Sequence, residues 1–138
     1  MTIRRATLAD LPALMALMRE FDPATSERGV VPLLDDDTYG VIWVTDALDA
    51  YAVVTWGWSV ESGGAEAILD EIYVRRPNFG VGSALIEHLH ADCRARGVRR
   101  IFLETEAPNE QARRLYTRHG YDAEDSIWMV KWLVRRPT

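Results

Sequence analysis

A tyrosine on a short predicted helix is the side chain of this chain that is best suited to acid–base chemistry. Asn109 follows a proline and can cap that helix, and Gly120 can close it in the left-handed conformation. Tyr116 lies four residues after Ala112 and therefore on the same helical face. On this pattern alone Tyr116 packs in the core. Its phenol, with a pKa near 10, can also protonate a departing anion.

A turn that contains two glycines precedes a second predicted helix. Residues 79–83 read Phe-Gly-Val-Gly-Ser, and glycines at such a turn let the N–H groups of a helix N-terminus approach an anion closely. A pyrophosphate would fit there. The segment lacks the third glycine and the acidic residue of a dinucleotide-binding motif, and it lacks the Walker lysine. Neither NAD nor ATP is therefore the natural ligand.

Two adjacent carboxylates, Asp70 and Glu71, lie in the predicted strand Ala67 to Val74. Side chains alternate between the faces of a strand, so we expect at most one of the two to reach a substrate amine directly. Regular alternation places Glu71 with Tyr73 and Asp70 with the apolar Ile72. We favour Glu71 as a base or amine anchor, and Asp70 remains an alternative.

Composition favours a single soluble domain over residues 1–138. No apolar run approaches the roughly 20 residues that span a bilayer, so we expect a cytoplasmic protein with no membrane partner. Cys93 is the only cysteine, and His88 and His90 point apart on a helix, so we expect no metal site. The pI of about 5.2 and the lack of a basic stripe argue against nucleic acid.

Charge is distributed unevenly along the chain. Residues 29–74 hold nine carboxylates and no Lys or Arg, whereas the residues from 75 onward carry twelve bases against eight acids. The acidic middle segment should attract a cationic substrate, although a solvated acidic surface would leave the same pattern.

The pattern of apolar residues predicts an α+β fold with a mixed sheet. We expect a loop or a broken helix over residues 22–38. The strand Ile101 to Glu104 should lie parallel to Ala67 to Val74, and a ligand should bind beyond the carboxyl ends of both. The predicted strands are Ile3 to Arg5, Val41 to Thr45, Tyr51 to Val60, Ala67 to Val74, Ile101 to Glu104 and Ile127 to Leu133, and the predicted helices start near Asp10, Gly82 and Asn109.

Four segments together resemble the GNAT superfamily of acetyl-CoA-dependent N-acetyltransferases. They are Trp56 to Gly64, Leu69 to Val74, Gly80 to Leu85 and Asn109 to Tyr121, and they follow in the order of that family. The resemblance implies a mostly antiparallel sheet flanked by helices, with a central parallel strand-helix-strand unit. A similar sequence, spermidine/spermine acetyltransferase, places its acid at the position of Asp70.

The resemblance also implies roles for individual residues. The loop at Gly80 and the start of its helix would hold the pyrophosphate of CoA, and the end of the strand before it would pair with the pantetheine arm. Asn109 matches a cofactor-contacting asparagine, and Tyr116 matches a general acid. The expected cofactor-binding residues are Ile72, Tyr73, Val74, Arg75, Arg76, Phe79, Gly80, Val81, Gly82, Ser83, Ala84, Asn109, Ala112 and Tyr116.

The phosphate loop departs from the pattern of the family. Pro77 stands where a basic or amide residue is usual, and the connection from Val74 to Gly80 is about two residues short. Either Arg75 or Arg76 supplies the missing charge, or the affinity for CoA is reduced. The sequence leaves both alternatives open.

The expected function is acetyl transfer from acetyl-CoA to a primary amine within a ternary complex, with no metal and no covalent acetyl-enzyme. The amine would be a cationic small molecule, such as a polyamine, diamine or aminoglycoside-like compound, or a peptide amine. Two rivals are a CoA-binding regulatory module without catalysis and an interaction domain that uses the tryptophans. The family often pairs protomers through terminal strands, so a homodimer is a reasonable expectation by resemblance.

Overall fold

The computed structural model describes residues 1–105 and 108–136. A short 3-10 helix, Leu8–Asp10, leads into the first α-helix. The strands are β1 Ile3–Arg5, β2 Gly40–Thr45, β3 Ala50–Ser59, β4 Gly64–Val74 and β5 Arg100–Leu103, and the α-helices are α1 Leu11–Phe21, α2 Glu27–Asp35, α3 Val81–Ala95 and α4 Glu110–Arg118.

The five strands form one sheet in the order β1-β2-β3-β4-β5. Each of the first three pairings is antiparallel, and β4 and β5 are parallel. Helix α3 makes the connection between the two parallel strands, which cannot be joined by a tight turn. The prediction of a mixed, mostly antiparallel sheet with a parallel strand-helix-strand unit is therefore confirmed, and this unit lies at one end of the sheet, with β5 as the edge strand.

Two clusters of buried side chains cover opposite faces of the sheet. Helices α1 and α2 pack on the face that includes Ile42, Val44, Tyr51 and Val53. Helix α3 packs on the other face through Leu85, Leu89 and Cys93, against Ala50, Ala52, Val54, Ala67 and Leu69. The sheet is thus the middle layer of three, and each face is held by its own helices.

Helix α2 is more regular than its sequence indicates. It forms within the segment predicted as a loop or broken helix, although Pro32 lies inside it. Val30, Leu33 and Leu34 are buried, and their i, i+3, i+4 spacing matches one helical face. Burial of that face against the sheet therefore outweighs the weak local propensity of this segment.

The predicted final strand, Ile127 to Leu133, is wrong. Residues 127–133 have no regular secondary structure, and they pair with none of the five strands. Their side chains are largely exposed, with Ile127 at 89% and Met129 at 90%. An apolar, β-rich composition does not by itself make a strand, because a strand also needs a partner for its N–H and C=O groups.

Among the described helices, none is long and apolar enough to cross a membrane.

An ion pair joins β1 to the segment that enters α1. Arg4 donates two hydrogen bonds of 2.8 Å to the carboxylate of Asp10, which also accepts one of 2.8 Å from the backbone N–H of Thr7. Asp10 is only 9% exposed. The hydrogen bond from Arg4 is the largest cause that lowers the pKa of Asp10, from 3.8 to about 2.

Replacing Asp10 with Asn should lower the free energy of unfolding at pH 7 by about 2 kcal/mol, since each unit of pKa shift corresponds to about 1.4 kcal/mol. The pKa of Asp10 is lower in the folded state. Its contribution is therefore full above the unfolded pKa and is lost as the pH falls from about 4 to about 2. Urea unfolding at a series of pH values measures this.

Asp46→Asn is the matched control, because Asp46 lies 3.4 Å from the same guanidinium but is 58% exposed. This control should change stability by less than about 1 kcal/mol. Equal losses in the two variants would contradict the role given to Asp10.

Candidate functional site

Strand β4 continues well beyond the end of its parallel partner. Residues Glu66 to Leu69 pair with Arg100 to Leu103, and β4 then runs on to Val74. Beyond Leu69 the edge of β4 that faces β5 has no strand partner among the described residues. The backbone groups along this edge must find another hydrogen-bonding partner, such as water or an extended ligand.

A β-bulge lies at the point where the two strands part. The consecutive β3 residues Val53 and Val54 pair with Glu71 and Leu69, which leaves Asp70 as the extra residue of β4. Bulges of this kind bend a strand and redirect its side chains.

The bulge corrects the expectation of regular alternation along β4. Leu69 belongs to the cluster on the α3 face, and Ile72 packs against that same cluster. Two residues separated by three positions therefore share a face, which regular alternation forbids. Asp70 is exposed at the bulge, so it is not buried in the cluster against which Ile72 packs. The pairing of Glu71 with Tyr73 on the other face holds, since both approach Tyr51.

Glu71 is half-buried, and it accepts a hydrogen bond from the hydroxyl of Tyr51 to its Oε1. Burial raises the pKa of the Glu71 carboxyl, and the hydrogen bond from Tyr51 lowers it. The negative charges of Asp70 and Asp22 raise the pKa further. A carboxylate with a raised pKa is a better base than an ordinary surface glutamate.

The glycine turn is placed at the N-terminus of α3 as expected. Gly80 caps the helix in the left-handed conformation, with φ of 76°, and its C=O accepts the first helical hydrogen bond from Ala84. The N–H groups of the first turn have no acceptor within the helix, so they are available to an anion. A Cβ on Gly82 would lie 3.3 Å from Cδ2 of Leu115, so glycine lets α3 and α4 pack closely.

Helix α4 is capped as the sequence predicts. Asn109 Oδ1 accepts a hydrogen bond of 3.1 Å from the N–H of Ala112, and Gly120 has φ of 88°. Tyr116 is half-buried between the ends, and burial raises the pKa of its phenol. The phenol is therefore protonated at neutral pH and is able to donate a proton or a hydrogen bond.

Two contacts join α4 to the glycine turn and the helix after it. His119 Nε2 lies 2.9 Å from the hydroxyl of Ser83, in the first turn of α3. Gln111 donates a hydrogen bond of 3.1 Å to the side chain of Asn78. These contacts fix the position of Tyr116 relative to the N-terminus of α3.

A cleft of about 910 Å³ runs along the free edge of β4 and between it and α4. The predicted site residues that line it are Asp70, Glu71, Ile72, Tyr73, Val74, Gly80, Gly82, Ser83, Asn109, Ala112 and Tyr116. Most of the predicted site residues, which are far apart in sequence, are thus brought together around one cavity.

Five predicted site residues do not line the cleft: Arg75, Arg76, Phe79, Val81 and Ala84. Arg75 instead forms an ion pair of 2.6 Å with Glu20 of α1. Phe79 is 79% exposed. The structure therefore gives no support to Arg75 as the source of the missing loop charge.

Positive charge in the cleft comes from α4, whose arginines the sequence predicts to lie mainly on a solvated face, with one of them able to contact the 3′-phosphate of CoA. Arg114 and Arg118 line the cleft, together with Gln111 and Asn78. The signal available in the sequence is the i, i+4 spacing of the two arginines, which places them on one helical face. Sequence reasoning missed Phe21 of α1, which lines the cleft, and the buried Tyr51.

Within residues 1–105 and 108–136, no group of three or more His, Cys, Asp or Glu side chains is arranged to hold a metal ion.

Residues 11–121 match the model of the acetyltransferase (GNAT) family. No curated protein sequence matches the chain significantly. Among solved structures, the chain is similar to an integron cassette protein from the mobile metagenome of Cole Harbour Salt Marsh, with 26% identity and a TM-score of 0.81. That match covers 98% of this chain and 92% of the other.

Two further structures share the fold at lower identity. A ribosomal-protein-alanine N-acetyltransferase from Brucella melitensis has 20% identity and a TM-score of 0.78, over 96% of this chain and 100% of that one. An aminoglycoside acetyltransferase from an uncultured soil metagenomic sample, solved with sisomicin, has 16% identity and a TM-score of 0.77, over 97% and 96%.

If coenzyme A binds in this cleft, replacing both Arg114 and Arg118 with Gln should weaken its binding roughly tenfold or more, because each arginine can make a charge-assisted hydrogen bond to phosphate. Isothermal titration calorimetry with coenzyme A measures the change. The comparison variant is Arg75→Gln with Arg76→Gln, in which the affinity should stay near that of the wild type. A larger loss in this second variant would show that the loop arginines supply the charge.

Proposed function

The chain belongs to the acetyltransferase (GNAT) family, and from this premise we propose that it transfers an acetyl group from acetyl-CoA to a primary amine within a ternary complex. The main observation in support is that one cleft brings together a half-buried carboxylate, a helix N-terminus and a half-buried phenol. These belong to Glu71, to the start of α3 and to Tyr116.

The residues of the cleft fit the cofactor that this family normally uses. Bound acetyl-CoA supplies an acetyl group that is activated as a thioester. The first turn of α3 would bind its pyrophosphate, with Gly80 in the left-handed conformation that exposes the N–H groups. The free edge of β4 would pair with the extended pantetheine arm, and a backbone N–H near Ile72 to Val74 would stabilise the developing oxyanion.

Glu71 is proposed as the base, directly or through water. An amine attacks only after it has lost its proton, and Glu71 is a half-buried carboxylate in the cleft with a raised pKa. Asp70 also lines the cleft, and it is the alternative candidate for the base.

Tyr116 is proposed as the general acid. When the C–N bond has formed and the C–S bond breaks, the sulfur leaves as a thiolate and needs a proton. The pKa of the Tyr116 phenol is raised by burial, so the phenol holds its proton until the thiolate develops.

The acceptor is proposed to be a cationic amine, either a small molecule or a peptide amine. Asp70 and Glu71 lie in the cleft, and Asp22 is close enough to raise the pKa of Glu71. These negative charges would attract an ammonium group. Among the similar structures, one acetyltransferase is named for a protein alanine and one for aminoglycosides.

Replacing Tyr116 with Phe should lower kcat about 100-fold while leaving the affinity for acetyl-CoA near that of the wild type, because only the acidic hydroxyl is removed. Calorimetry with acetyl-CoA and a continuous assay of thiol release measure the two effects. Tyr121→Phe is the matched control, since the hydroxyl of Tyr121 lies 2.7 Å from His90 and the residue does not line the cleft.

Three outcomes separate the alternatives for this protein. Thiol release that depends on Tyr116 supports the proposed enzyme. Micromolar binding of acetyl-CoA without Tyr116-dependent turnover would favour a CoA-binding module, and no binding at millimolar acetyl-CoA would overturn the proposal.

If the carboxylates select the charge of the acceptor, kcat/KM for a diamine should fall several-fold between about 0.02 and 0.3 M salt, because exposed charges are screened. A neutral acceptor of similar size should react much more slowly at low salt, with little dependence on salt. Equal rates for the charged and neutral acceptors would contradict this selection.

A further inference from the structure

The residue that holds Glu71 comes from the neighbouring strand. In the β3–β4 pairing Tyr51 lies opposite Tyr73, and Val53 lies opposite Glu71. Tyr51 and Glu71 are therefore diagonal neighbours on one face of the sheet, within reach of a long aromatic side chain. The Tyr51 hydroxyl donates to Oε1 of Glu71.

Packing leaves the ring of Tyr51 in a fixed position. Its side chain is fully buried, at 0% exposure, in the cluster that also contains Leu14, Met18 and Val44. A buried hydroxyl without a hydrogen-bonding partner is unfavourable, so a residue that only filled the core would more simply be Phe. The ring thus aims a proton donor from the core at the edge of the cleft.

Resting on the function proposed above, we propose that Tyr51 is a positioning residue for acetyl transfer, which holds the Glu71 carboxylate by Oε1 so that Oε2 receives the proton of the acceptor amine. The bulge at Asp70 supports this role, because it comes directly before Glu71 and redirects the strand there. Glu71 lines the cleft, whereas Tyr51 does not. Tyr51 therefore acts through the carboxylate.

The hydrogen bond from Tyr51 opposes the effect of burial and of the charges around Glu71. Burial and the negative charges of Asp70 and Asp22 all favour the protonated, inactive form of the Glu71 carboxyl by raising its pKa, and the hydrogen bond from Tyr51 opposes them. On the α1 side, Glu20 is occupied by hydrogen bonds from Tyr73 and Arg75. The positive charge of Arg75 is therefore paired with Glu20 and not with Glu71.

The test is the titration of the Glu71 carboxyl, followed by ¹³C NMR in the full chain and assigned with Glu71→Gln. A hydrogen bond to the ionised form lowers a pKa, so its removal in Tyr51→Phe should raise the pKa of Glu71 by roughly one unit. The acid limb of kcat/KM should move to higher pH by the same amount, which makes the rate about tenfold lower below that limb. Tyr39→Phe is the control, since Tyr39 is 65% exposed and does not line the cleft.

A purely structural role would lower the melting temperature of Tyr51→Phe without moving the pKa of Glu71 or the pH profile, and that result would overturn the proposal. If Tyr51→Phe does not fold, 3-fluorotyrosine at position 51 keeps the ring and makes the phenol a stronger donor. The pKa of Glu71 should then fall, and an unchanged or raised value would overturn the proposal. The NMR titration needs no turnover, so it decides the role of Tyr51 even if acetyl transfer is not observed.

Discussion

The unpaired edge of β4 beyond Leu69 is the constraint on which the rest of the site depends. Strand β3 satisfies one edge of β4, and β5 has already ended on the other. Backbone N–H and C=O groups are strong hydrogen-bonding groups that cannot be left without a partner. An extended ligand that pairs with this edge has only one course to follow, and the first turn of α3 and the inner face of α4 lie along that course.

The cleft brings together side chains that belong to opposite faces of the sheet. Glu71 belongs to the face held by α1 and α2, whereas Tyr116 packs against the cluster on the face held by α3. The carboxylate and the phenol therefore line one cleft because the sheet opens between β4 and β5.

Local signals in the sequence were sufficient to predict most helices and strands. They did not predict which residues pair with one another across the sheet. The cap at Asn109 and the left-handed Gly120 depend on neighbouring residues only, and the structure confirms both. The bulge depends on which β3 residue meets which β4 residue, so alternation along one strand could not reveal it. The ion pair between Glu20 and Arg75 and the hydrogen bond between Tyr51 and Glu71 likewise join positions that only the folded sheet brings together.

The extra residue in β4 also bears on how long this strand needs to be. Leu69 before the bulge and Ile72 after it face the same helix, so the sheet would keep its core with Asp70 removed and with regular pairing to β3. For the fold alone, a strand one residue shorter would be enough. The added residue lies where the cleft begins, so its structural effect falls on the cleft and not on the core.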